Sequence, residues 1–331
     1  MNISEVMFKH EIVGADNAMN NLIGFDDLDK CSLVDLPKIK FTLQGTDNEW
    51  NSTFTVKYRK DLVEEYNKAN NTSYSALDEG VITFESENVE LPAGQNDTYI
   101  SLVKGTGDIT DMTALYLFPV EIVNTNFSTD LATSADDKLH NNIYYMVLSS
   151  EVSLSLNDLY SPCTATGHGG SDGQGLSALI DNNLADNFWT SNWDNPYQSK
   201  DWHHFIQVHF TEPLTDAIRV QYWSREYFKP NPTQIQIYVT DKTSVEERDP
   251  KDGWVLLCDV NMTDDGLPVD VFDTWSTESF DFSEIPDLNG KSVTYMRFCI
   301  VTTRDNNENV PKEVGYGSSS ASITELKVWG K

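Results

Sequence analysis

Aromatic and planar polar side chains are concentrated in three loop-like segments of the second half of the chain. These segments span residues 190–203, 225–228 and 304–307, and they mix Trp, Tyr and Phe with Arg, His, Asn and Asp. Aromatic rings stack on flat apolar ligand faces while planar polar groups hydrogen-bond hydroxyls, so this combination is typical of a surface that binds a sugar. The candidate contacts in and near these segments are Trp193, Tyr197, Trp202, His203, Arg225, Tyr227, Trp275 and Arg304.

Other aromatic residues of this half fall inside strand patterns. Trp189, Trp254 and Trp329 are therefore expected in the core, and His204, which directly precedes a strand, is predicted to be structural. Trp223 ends a strand and fits either role. Because some loop aromatics only plug the end of a β-sandwich, a structural role stays open for part of the candidate set.

Histidine spacing and phosphate-binding motifs give no sign of catalysis. The six histidines show no H-E-x-x-H spacing, and G-x-x-x-x-G-K-[ST] does not occur. The pattern G-x-S-x-G occurs once, at residues 169–173, where it follows no predicted strand. Glycoside hydrolysis needs a pair of carboxylates. Carboxylates are so abundant in this sequence that their presence does not indicate an enzyme. Cys31, Cys163, Cys258 and Cys299 lack C-x-x-C spacing, so free thiols are the default, and a Cys258–Cys299 disulfide stays open. We therefore expect a binding protein and not an enzyme.

Charge limits the partners of this protein. The 331 residues include 52 acidic and 23 basic side chains, for a formal net charge of −29. Such a surface repels nucleic acids and anionic membranes, whereas neutral ligands and cations stay possible. No segment approaches the ~20 apolar residues of a membrane span, and the first residues do not resemble a signal peptide. Two alternatives remain: a cytoplasmic protein, or one whose export segment preceded this sequence.

Period-two alternation predicts that strands position the loops within two all-β domains. One helix is expected in the first domain after Asp61, a suitable N-cap, and it should end at Asn70-Asn71. The pattern of residues 1–152 therefore predicts an Ig-like sandwich with one short helix. Its expected strands lie near 5–12, 39–43, 54–58, 81–84, 99–103, 115–123 and 143–148.

A change of composition near residues 150–162 marks a connector. Seven of the eight tryptophans follow it, and residues 157–331 form the second predicted domain. Its strands show no alternation with helices, which excludes a doubly wound parallel sheet. The expected strands lie near 205–210, 217–223, 234–240, 254–260, 293–301 and 323–329.

Six fragments of the second domain occur in the order of a known family. They are A-L-I-D at 178–181, N-F-W-T-S at 187–191, H-F-I-Q-V-H-F at 204–210, P-T-Q-I-Q-I-Y-V-T at 232–240, Y-M-R-F at 295–298 and S-I-T-E-L-K-V-W-G at 322–330. Together they resemble the coagulation factor 5/8 type C, or discoidin-like, family, which includes carbohydrate-binding module family 32. The resemblance implies a jelly-roll sandwich that binds a galactose-type sugar through its loops, and it favours Arg225 and residues 193–203 as contacts.

The first domain has its own set of fragments. They are Y-R-K-D-L-V-E-E-Y-N at 58–67, N-T-S-Y at 71–74, V-E-L-P-A-G at 89–94 and L-F-P-V at 117–120. These resemble a domain of Bacteroidetes surface lipoproteins that precedes glycan-binding or glycan-cleaving modules. The resemblance implies an outward-facing outer-membrane lipoprotein, with a lipid anchor on an upstream cysteine and no membrane insertion by these residues.

The discoidin-like resemblance also implies a structural calcium ion that ties an early turn to the last strand. Calcium prefers six to eight oxygen ligands, many of them carbonyls. Asn182 replaces the family's usual Gly, and one extra residue precedes Asn187, so the alternative is that Asp181 only caps a turn and Glu325 is solvated. The expected ligands are Ala178, Asp181, Asn183, Asn187, Thr324 and Glu325.

These expectations combine into one functional hypothesis, a monomeric, non-catalytic protein of the cell surface that binds a neutral glycan. The alternative is a protein–protein adhesion or assembly module of a surface polysaccharide-utilisation complex. An unrecognised hydrolase is the third possibility and the least favoured.

Overall fold

The chain divides into two units, residues 1–150 and 151–331. Residues 151 and 152 belong to the second unit because Glu151 pairs with Trp329, and the Val152 N–H donates to the Val328 carbonyl (2.8 Å). The computed structural model describes residues 12–13, 30–33, 36–42, 51–95, 97–125, 143–167, 169–184, 187–192, 199, 201–226, 230–268, 272–304 and 320–331.

Ten strands and a helix α1 (Leu62–Asn70) are described in the first unit. The strands are β1 (Ile12–Val13), β2 (Lys30–Ser32), β3 (Lys38–Thr42), β4 (Ser52–Tyr58), β5 (Ser75–Ala76), β6 (Ile82–Phe84), β7 (Asn88–Leu91), β8 (Asp97–Lys104), β9 (Leu115–Thr125) and β10 (Ile143–Ser149). Most of the strand predicted at 5–12 lies outside the described residues, as does residue 43.

Two sheets of the first unit enclose its core. One has the order β1-β3-β8-β6, and the other has the order β2-β10-β9-β4-β7, with β5 added to β9. Alternation along β9 directs Phe118 and Val120 between the sheets and Leu117 to the opposite face. Helix α1 covers that opposite face with Val63 and Tyr66. The first unit is therefore a sandwich with one face covered by the predicted helix.

The ends of helix α1 agree with the sequence prediction, but the cap does not. Asn71 ends the helix with φ +53, a left-handed conformation that asparagine tolerates. Asp61 precedes the helix but makes no capping bond. Its carboxylate oxygens instead accept from Arg59 Nε (2.8 Å) and Nη2 (2.6 Å). Asp61 thus occupies the predicted N-cap position, but its side chain does not cap the helix because the arginine provides a bidentate partner for the carboxylate.

The second unit is another sandwich, and strands of both of its sheets are described. They are β11 (Leu159–Tyr160), β12 (Trp189–Thr190), β13 (His204–Leu214), β14 (Ala217–Trp223), β15 (Pro232–Thr240), β16 (Val255–Asn261), β17 (Thr274–Ser276), β18 (Phe280–Asp281), β19 (Val293–Thr303), β20 (Ser322–Ile323) and β21 (Glu325–Gly330). A five-stranded sheet has the order β11-β13-β19-β15-β16. Opposite it, β14 pairs with β21 along one edge and with β17 and β18 along the other.

Side chains of both sheets meet in the core of the second unit. Tyr222 of β14 and Phe298 of β19 lie 5.4 Å apart between ring centroids, and both are fully buried. Trp189, Trp254 and Trp329 are buried as predicted. The all-β class and the two-sandwich architecture expected from the sequence are confirmed. Within the described residues, no helix has the length and apolarity needed to cross a membrane.

The cysteines of the second unit are free thiols. Cys258 pairs in register with Ile237, whereas Cys299 pairs with Gln236, the preceding residue of the same strand. Since successive residues of a strand point to opposite faces, the two thiols point away from each other. Cys163, Cys258 and Cys299 are therefore unbridged, and burial raises the pKa of each thiol to about 12.

Candidate functional site

One end of the second sandwich gathers the loops that carry several predicted contacts. Strands β14 and β19 end there, and β13, β15 and β21 begin there. Backbone bonds join the connecting segments, since the Ser322 N–H donates to the Pro230 carbonyl (2.9 Å) and the Arg304 N–H to the Asn231 carbonyl (3.2 Å). We call residues 187–192, 224–226, 230–231, 303–304 and 320–325 the loop end.

Arg225 stacks on an aromatic ring at the loop end. Its guanidinium carbon lies 3.3 Å from the centroid of the Phe188 ring, and its side chain is half-buried. Gln174 fixes Phe188, because its Oε1 accepts from the Phe188 N–H and its own N–H donates to the Phe188 carbonyl (both 3.0 Å). Gly173 permits this approach, since a Cβ there would lie 2.2 Å from that carbonyl oxygen. The stack covers one face of the guanidinium and fixes the plane in which its N–H donors lie.

Asn231 holds the backbone of both predicted arginine contacts. Its Oδ1 accepts from the Arg225 N–H (2.8 Å), and its Nδ2 donates to the Arg225 carbonyl (3.0 Å). Its own carbonyl accepts from the Arg304 N–H. Asn231 is 2% exposed, so these bonds are shielded from competing water. The structure thus joins Arg225 and Arg304 through one buried asparagine.

Trp275 lies in strand β17 and not in the predicted loop. It pairs directly with Tyr222 of β14, with 6.2 Å between ring centroids, and it is half-buried. Its indole Nε1 donates to the Asp265 carbonyl (3.2 Å). The predicted loop position is wrong because the short segment around Trp275 finds a pairing partner in β14. Trp275 still flanks the loop end, since Tyr222 lies three residues before Arg225.

Trp202 is 1% exposed and does not reach the surface. Its ring centroid lies 4.4 Å from the Arg297 guanidinium carbon and 5.2 Å from the ring centroids of both Trp254 and Tyr238. Its Nε1 donates to the Asp249 carbonyl. The prediction of a ligand contact is wrong because this ring covers the face of the five-stranded sheet that lies away from the core. We call Trp202, Phe205, Tyr238, Trp254 and Arg297 the Arg297 cluster.

His203 is also buried, with 6% of its surface exposed. Burial, reinforced by the positive charge of Lys251, lowers the pKa of His203 to about 4. The imidazole is therefore neutral at pH 7 and enclosed, and the predicted ligand contact is wrong. Three further candidates, Trp193, Tyr197 and Tyr227, lie outside the described residues.

The principal predicted calcium ligands lie at the turn of residues 181–183, which contacts the start of β21. The Asn182 N–H donates to Glu325 Oε2 (3.2 Å). Asp181 accepts from the Asn183 N–H through Oδ1 (2.8 Å) and from Asn187 Nδ2 through Oδ2 (2.5 Å). Asn182 has φ +57, the left-handed conformation expected where Asn replaces Gly. We call this arrangement the Asp181–Glu325 turn.

Glu325 is 2% exposed, so the alternative that it is solvated is wrong. Burial raises the pKa of Glu325 to about 7, and the negative charge of Asp181 adds to the increase. Lys327 forms an ion pair with Glu151 (3.1 Å) instead. A buried carboxylate beside a second carboxylate is stabilised by a proton or a cation.

The donor set of this turn fits calcium better than a transition metal. In the part of the chain that the structure describes, no group of three or more His, Cys, Asp or Glu could hold a metal. The other ligands would therefore be carbonyl and amide oxygens, which calcium accepts. Asn187 would present Oδ1 to an ion after a 180° rotation of its amide, because the two ends of the amide have nearly the same shape.

The remaining two predicted ligands are buried beside the same turn. Ala178 lies in a 3-10 turn, Gly175–Ile180, and is fully buried. The Thr324 hydroxyl lies 3.2 Å from the Trp223 carbonyl and 3.3 Å from the Ser224 carbonyl. Since Arg225 follows Ser224, these bonds connect the Asp181–Glu325 turn to the loop that carries Arg225.

Two residues of the loop end were not singled out from the sequence. Phe188 precedes the core residue Trp189, so strand alternation directs its side chain to the opposite side. The sequence pattern alone could therefore have indicated that Phe188 points away from the core. Asn231 carries no such signal, because its role depends on hydrogen bonds to residues six and 73 positions along the chain.

Comparisons with known proteins give the following similarities. Residues 15–128 match a family model described as an N-terminal domain. A search of curated proteins found no match. A family 32 carbohydrate-binding module of Clostridium perfringens, in complex with GalNAc-β-1,3-galactose, is 12% identical, with 52% of this chain and 94% of that chain covered and a TM-score of 0.34.

Two further solved structures extend the comparison. Another C. perfringens family 32 module, in complex with galactose, is 12% identical, with 54% of this chain and 98% of that chain covered and a TM-score of 0.32. A two-domain Bacteroides fragilis protein of unknown function is 12% identical, with 97% of this chain and 95% of that chain covered and a TM-score of 0.29. At these identities and TM-scores the similarities establish neither the family nor the ligand of this chain.

Proposed function

We propose that the second unit binds a neutral, galactose-type sugar at its loop end and does not cleave it. The observation that carries this proposal is the Arg225 guanidinium, held 3.3 Å over the Phe188 ring and half-exposed at the loop end. A guanidinium with one face covered by a ring donates hydrogen bonds in a fixed plane. Adjacent sugar hydroxyls accept such bonds, and the buried Asn231 keeps the donor in place.

The charge of the molecule supports a neutral ligand. With a formal net charge of −29, the protein repels anions over long distances. Arg225 and Arg304 are positively charged, so an anionic sugar is the competing ligand that a test must include. The galactose type is the expectation that the family resemblance of residues 178–330 implies.

We further propose a structural calcium ion at the Asp181–Glu325 turn. The ion would neutralise two neighbouring carboxylates, one of them buried, and would hold residues 181–183 and Asn187 against the first residue of β21. Its chemistry is charge compensation and positioning. The turn then supports the loop end through the Thr324 hydroxyl.

We propose that the protein is a monomeric lipoprotein exposed on the cell surface. This localisation rests on the sequence resemblance of the first half to surface lipoprotein domains. The lipid anchor would lie upstream of the residues described. Fractionation of native cells, with detection of the protein on intact cells by antibody, tests the localisation directly.

A glycan array followed by calorimetry tests the binding function. We expect the full chain to bind glycans with terminal galactose or N-acetylgalactosamine and to release no sugar from them. Arg225→Ala should abolish array binding, whereas Tyr160→Ala removes an exposed ring outside the loop end and should have no effect. A silent array together with capture of a partner from the same surface would favour the assembly module, and product release would show an enzyme.

A further inference from the structure

Strand β14 presents three side chains on the face of its sheet that lies away from the core. The inward residues of this strand, among them Tyr222, are fully buried. Successive side chains of a strand point to opposite faces, so the alternate residues point outward, and each of them is half-buried. They are Arg219, Gln221 and Trp223, and we call them the β14 row. Trp223, which fitted either role in the sequence, therefore does not belong to the core.

Hydroxyl groups of strand β17 hold two side chains of the β14 row. Gln221 Nε2 donates to Thr274 Oγ1 (2.8 Å), and Arg219 Nη2 donates to Ser276 Oγ (3.0 Å). Both bonds run from β14 to the neighbouring strand, so they orient the planar amide and the planar guanidinium on the same sheet face. The row thus combines an indole ring with two fixed planar polar groups.

Arg219 is a cation without an anionic partner among the described residues. Ion pairs in that part of the chain involve other basic side chains, such as Lys327 with Glu151, and none includes Arg219. Its Nε is buried and has no hydrogen-bond partner there. The chain has 52 acidic and 23 basic residues, so carboxylates are abundant, yet none neutralises this guanidinium. A partly desolvated cation favours an anion as its partner, which a ligand would supply.

The two ends of the β14 row differ in charge. Trp223 pairs with Glu325 of β21, whereas Arg219 pairs with the uncharged Trp329. An anionic group is therefore repelled at the tryptophan end and attracted at the arginine end. Alternate residues of a strand lie ~7 Å apart, so the three side chains span ~14 Å, a length that suits linked rings better than one sugar.

The side chains of the row favour a sugar chain over an acidic peptide. The C–H face of a hexose packs on an aromatic ring, and its hydroxyls bond to planar polar groups. Trp223 offers the ring, and Gln221 offers the amide between the ring and the guanidinium. An acidic peptide needs the cation but neither of the other two groups.

We propose that the β14 row is a second ligand site, which binds an extended acidic glycan with a sugar carboxylate on Arg219. This inference does not rest on the proposed function, because the row lies on a sheet face and takes an anionic ligand. The many carboxylates of the protein oppose the approach of an anion. At ~0.15 M ionic strength, however, exposed charges more than ~8 Å apart are largely screened, whereas a contact between guanidinium and carboxylate is not.

Calorimetric titration of the full chain at ~0.15 M ionic strength compares trigalacturonate with its methyl ester, which has the same rings and no charge. We expect the wild type to bind the acid at least roughly tenfold more tightly than the ester. Arg219→Gln should remove this preference without lowering the unfolding midpoint. Arg248→Gln is the matched control, because it removes the same charge from a 74% exposed side chain of another loop. Arg248→Gln and Arg225→Ala should both bind the acid like the wild type.

Four results would overturn the inference and leave the proposed function standing. They are no binding of trigalacturonate, equal binding of the ester, wild-type affinity in Arg219→Gln, and loss of acid binding in Arg225→Ala, which would place the acidic sugar at the loop end. Competition by polyglutamate as strong as that by trigalacturonate would assign the row to acidic peptides and overturn the glycan. Failure of galactose to bind would instead contradict the proposed function alone.

A second variant covers a structural effect of the first. If Arg219→Gln lowers the unfolding midpoint, Arg219→Lys decides, because it keeps the charge and most of the aliphatic stem but loses the planar donors. Arg219→Lys should unfold like the wild type and bind trigalacturonate more weakly. Wild-type affinity in this variant would overturn the inference.

Discussion

Two arginines of the second unit stack on aromatic rings, yet they have opposite surroundings. Arg297 is fully buried, and its guanidinium carbon lies 4.3–4.7 Å from the ring centroids of Phe205, Trp202 and Trp254. Its nitrogens donate to Gln207 Oε1 (3.0 Å) and the Glu246 carbonyl (2.6 Å). Arg225 stacks on the single Phe188 ring at 3.3 Å and stays half-exposed.

The comparison teaches that the same residue types make a structural cluster or a binding site according to what covers them. Residues 201–203 and 246–254 bring side chains and carbonyls over the Arg297 cluster, and two of the guanidinium nitrogens, Nε and Nη2, donate to protein oxygens. At the loop end the backbone of Arg225 is fixed by Asn231, and its side chain is only half-buried. We therefore assign stability to the Arg297 cluster and propose ligand binding at the loop end.

Removal of a ring from the Arg297 cluster should have the largest effect. Trp202→Ala leaves a cavity next to a buried cation and should lower the free energy of unfolding by about 3–5 kcal/mol. Chemical denaturation monitored by circular dichroism measures this loss. Trp275→Ala is the matched control at a half-buried edge position and should cost clearly less. Equal losses of unfolding free energy for the two variants would contradict the structural role assigned to the Arg297 cluster.

Removal of calcium should affect the loop end and leave the Arg297 cluster intact. If free calcium is about 100 times its dissociation constant, the ion contributes about 2.7 kcal/mol to stability. Excess chelator should therefore lower the melting temperature in scanning calorimetry and weaken sugar binding as well. The double variant Asp181→Asn/Glu325→Gln keeps the side-chain shapes, and its melting temperature should not respond to chelator. An unchanged wild-type transition in chelator would rule out the site.

Substitution of Arg225 should change affinity and leave the fold nearly unaffected. Hydrogen bonds that involve a charged group contribute about 1.5–3 kcal/mol, so Arg225→Ala should weaken sugar binding at least tenfold. Arg225→Lys keeps the charge but loses the planar donor, and it should recover only part of the affinity. Calorimetric titration and a denaturation curve give both quantities. A loss of stability as large as that of Trp202→Ala would show that Arg225 is structural.

Acid should weaken the fold through His203, beside the Arg297 cluster. Burial lowers the pKa of His203 from 6.5 to about 4, so the unfolded chain binds a proton near pH 6.5 and the folded chain does not. The stability present above that pH is lost as the pH falls towards 4, with a decrease of about 1 kcal/mol between pH 7 and pH 5.5. Denaturation curves at both pH values measure it, and His203→Gln should remove that part of the decrease. A variant with the full wild-type decrease would contradict a buried neutral His203.

The sequence predicted the strands better than it predicted the residues of the site. Alternation predicted most strands because burial of one sheet face imposes a period of two, and it also placed Trp189 and Trp329 in the core. Trp202 and His203 were misassigned because their segment is rich in polar residues, and nothing local indicates that another loop covers it. Asp181 and Glu325 were predicted as neighbours only through a family resemblance, since 144 positions separate them.

The sequence by itself determined the all-β class, the two sandwiches, the acidic surface and the arginines and aromatics available for binding. Only the tertiary structure decided which of those side chains are enclosed. It buried Trp202 and His203 and joined Arg225 to Arg304 through Asn231. The physical reason is that exposure and hydrogen-bond partners depend on contacts between residues distant in sequence, whereas strand periodicity depends only on neighbours.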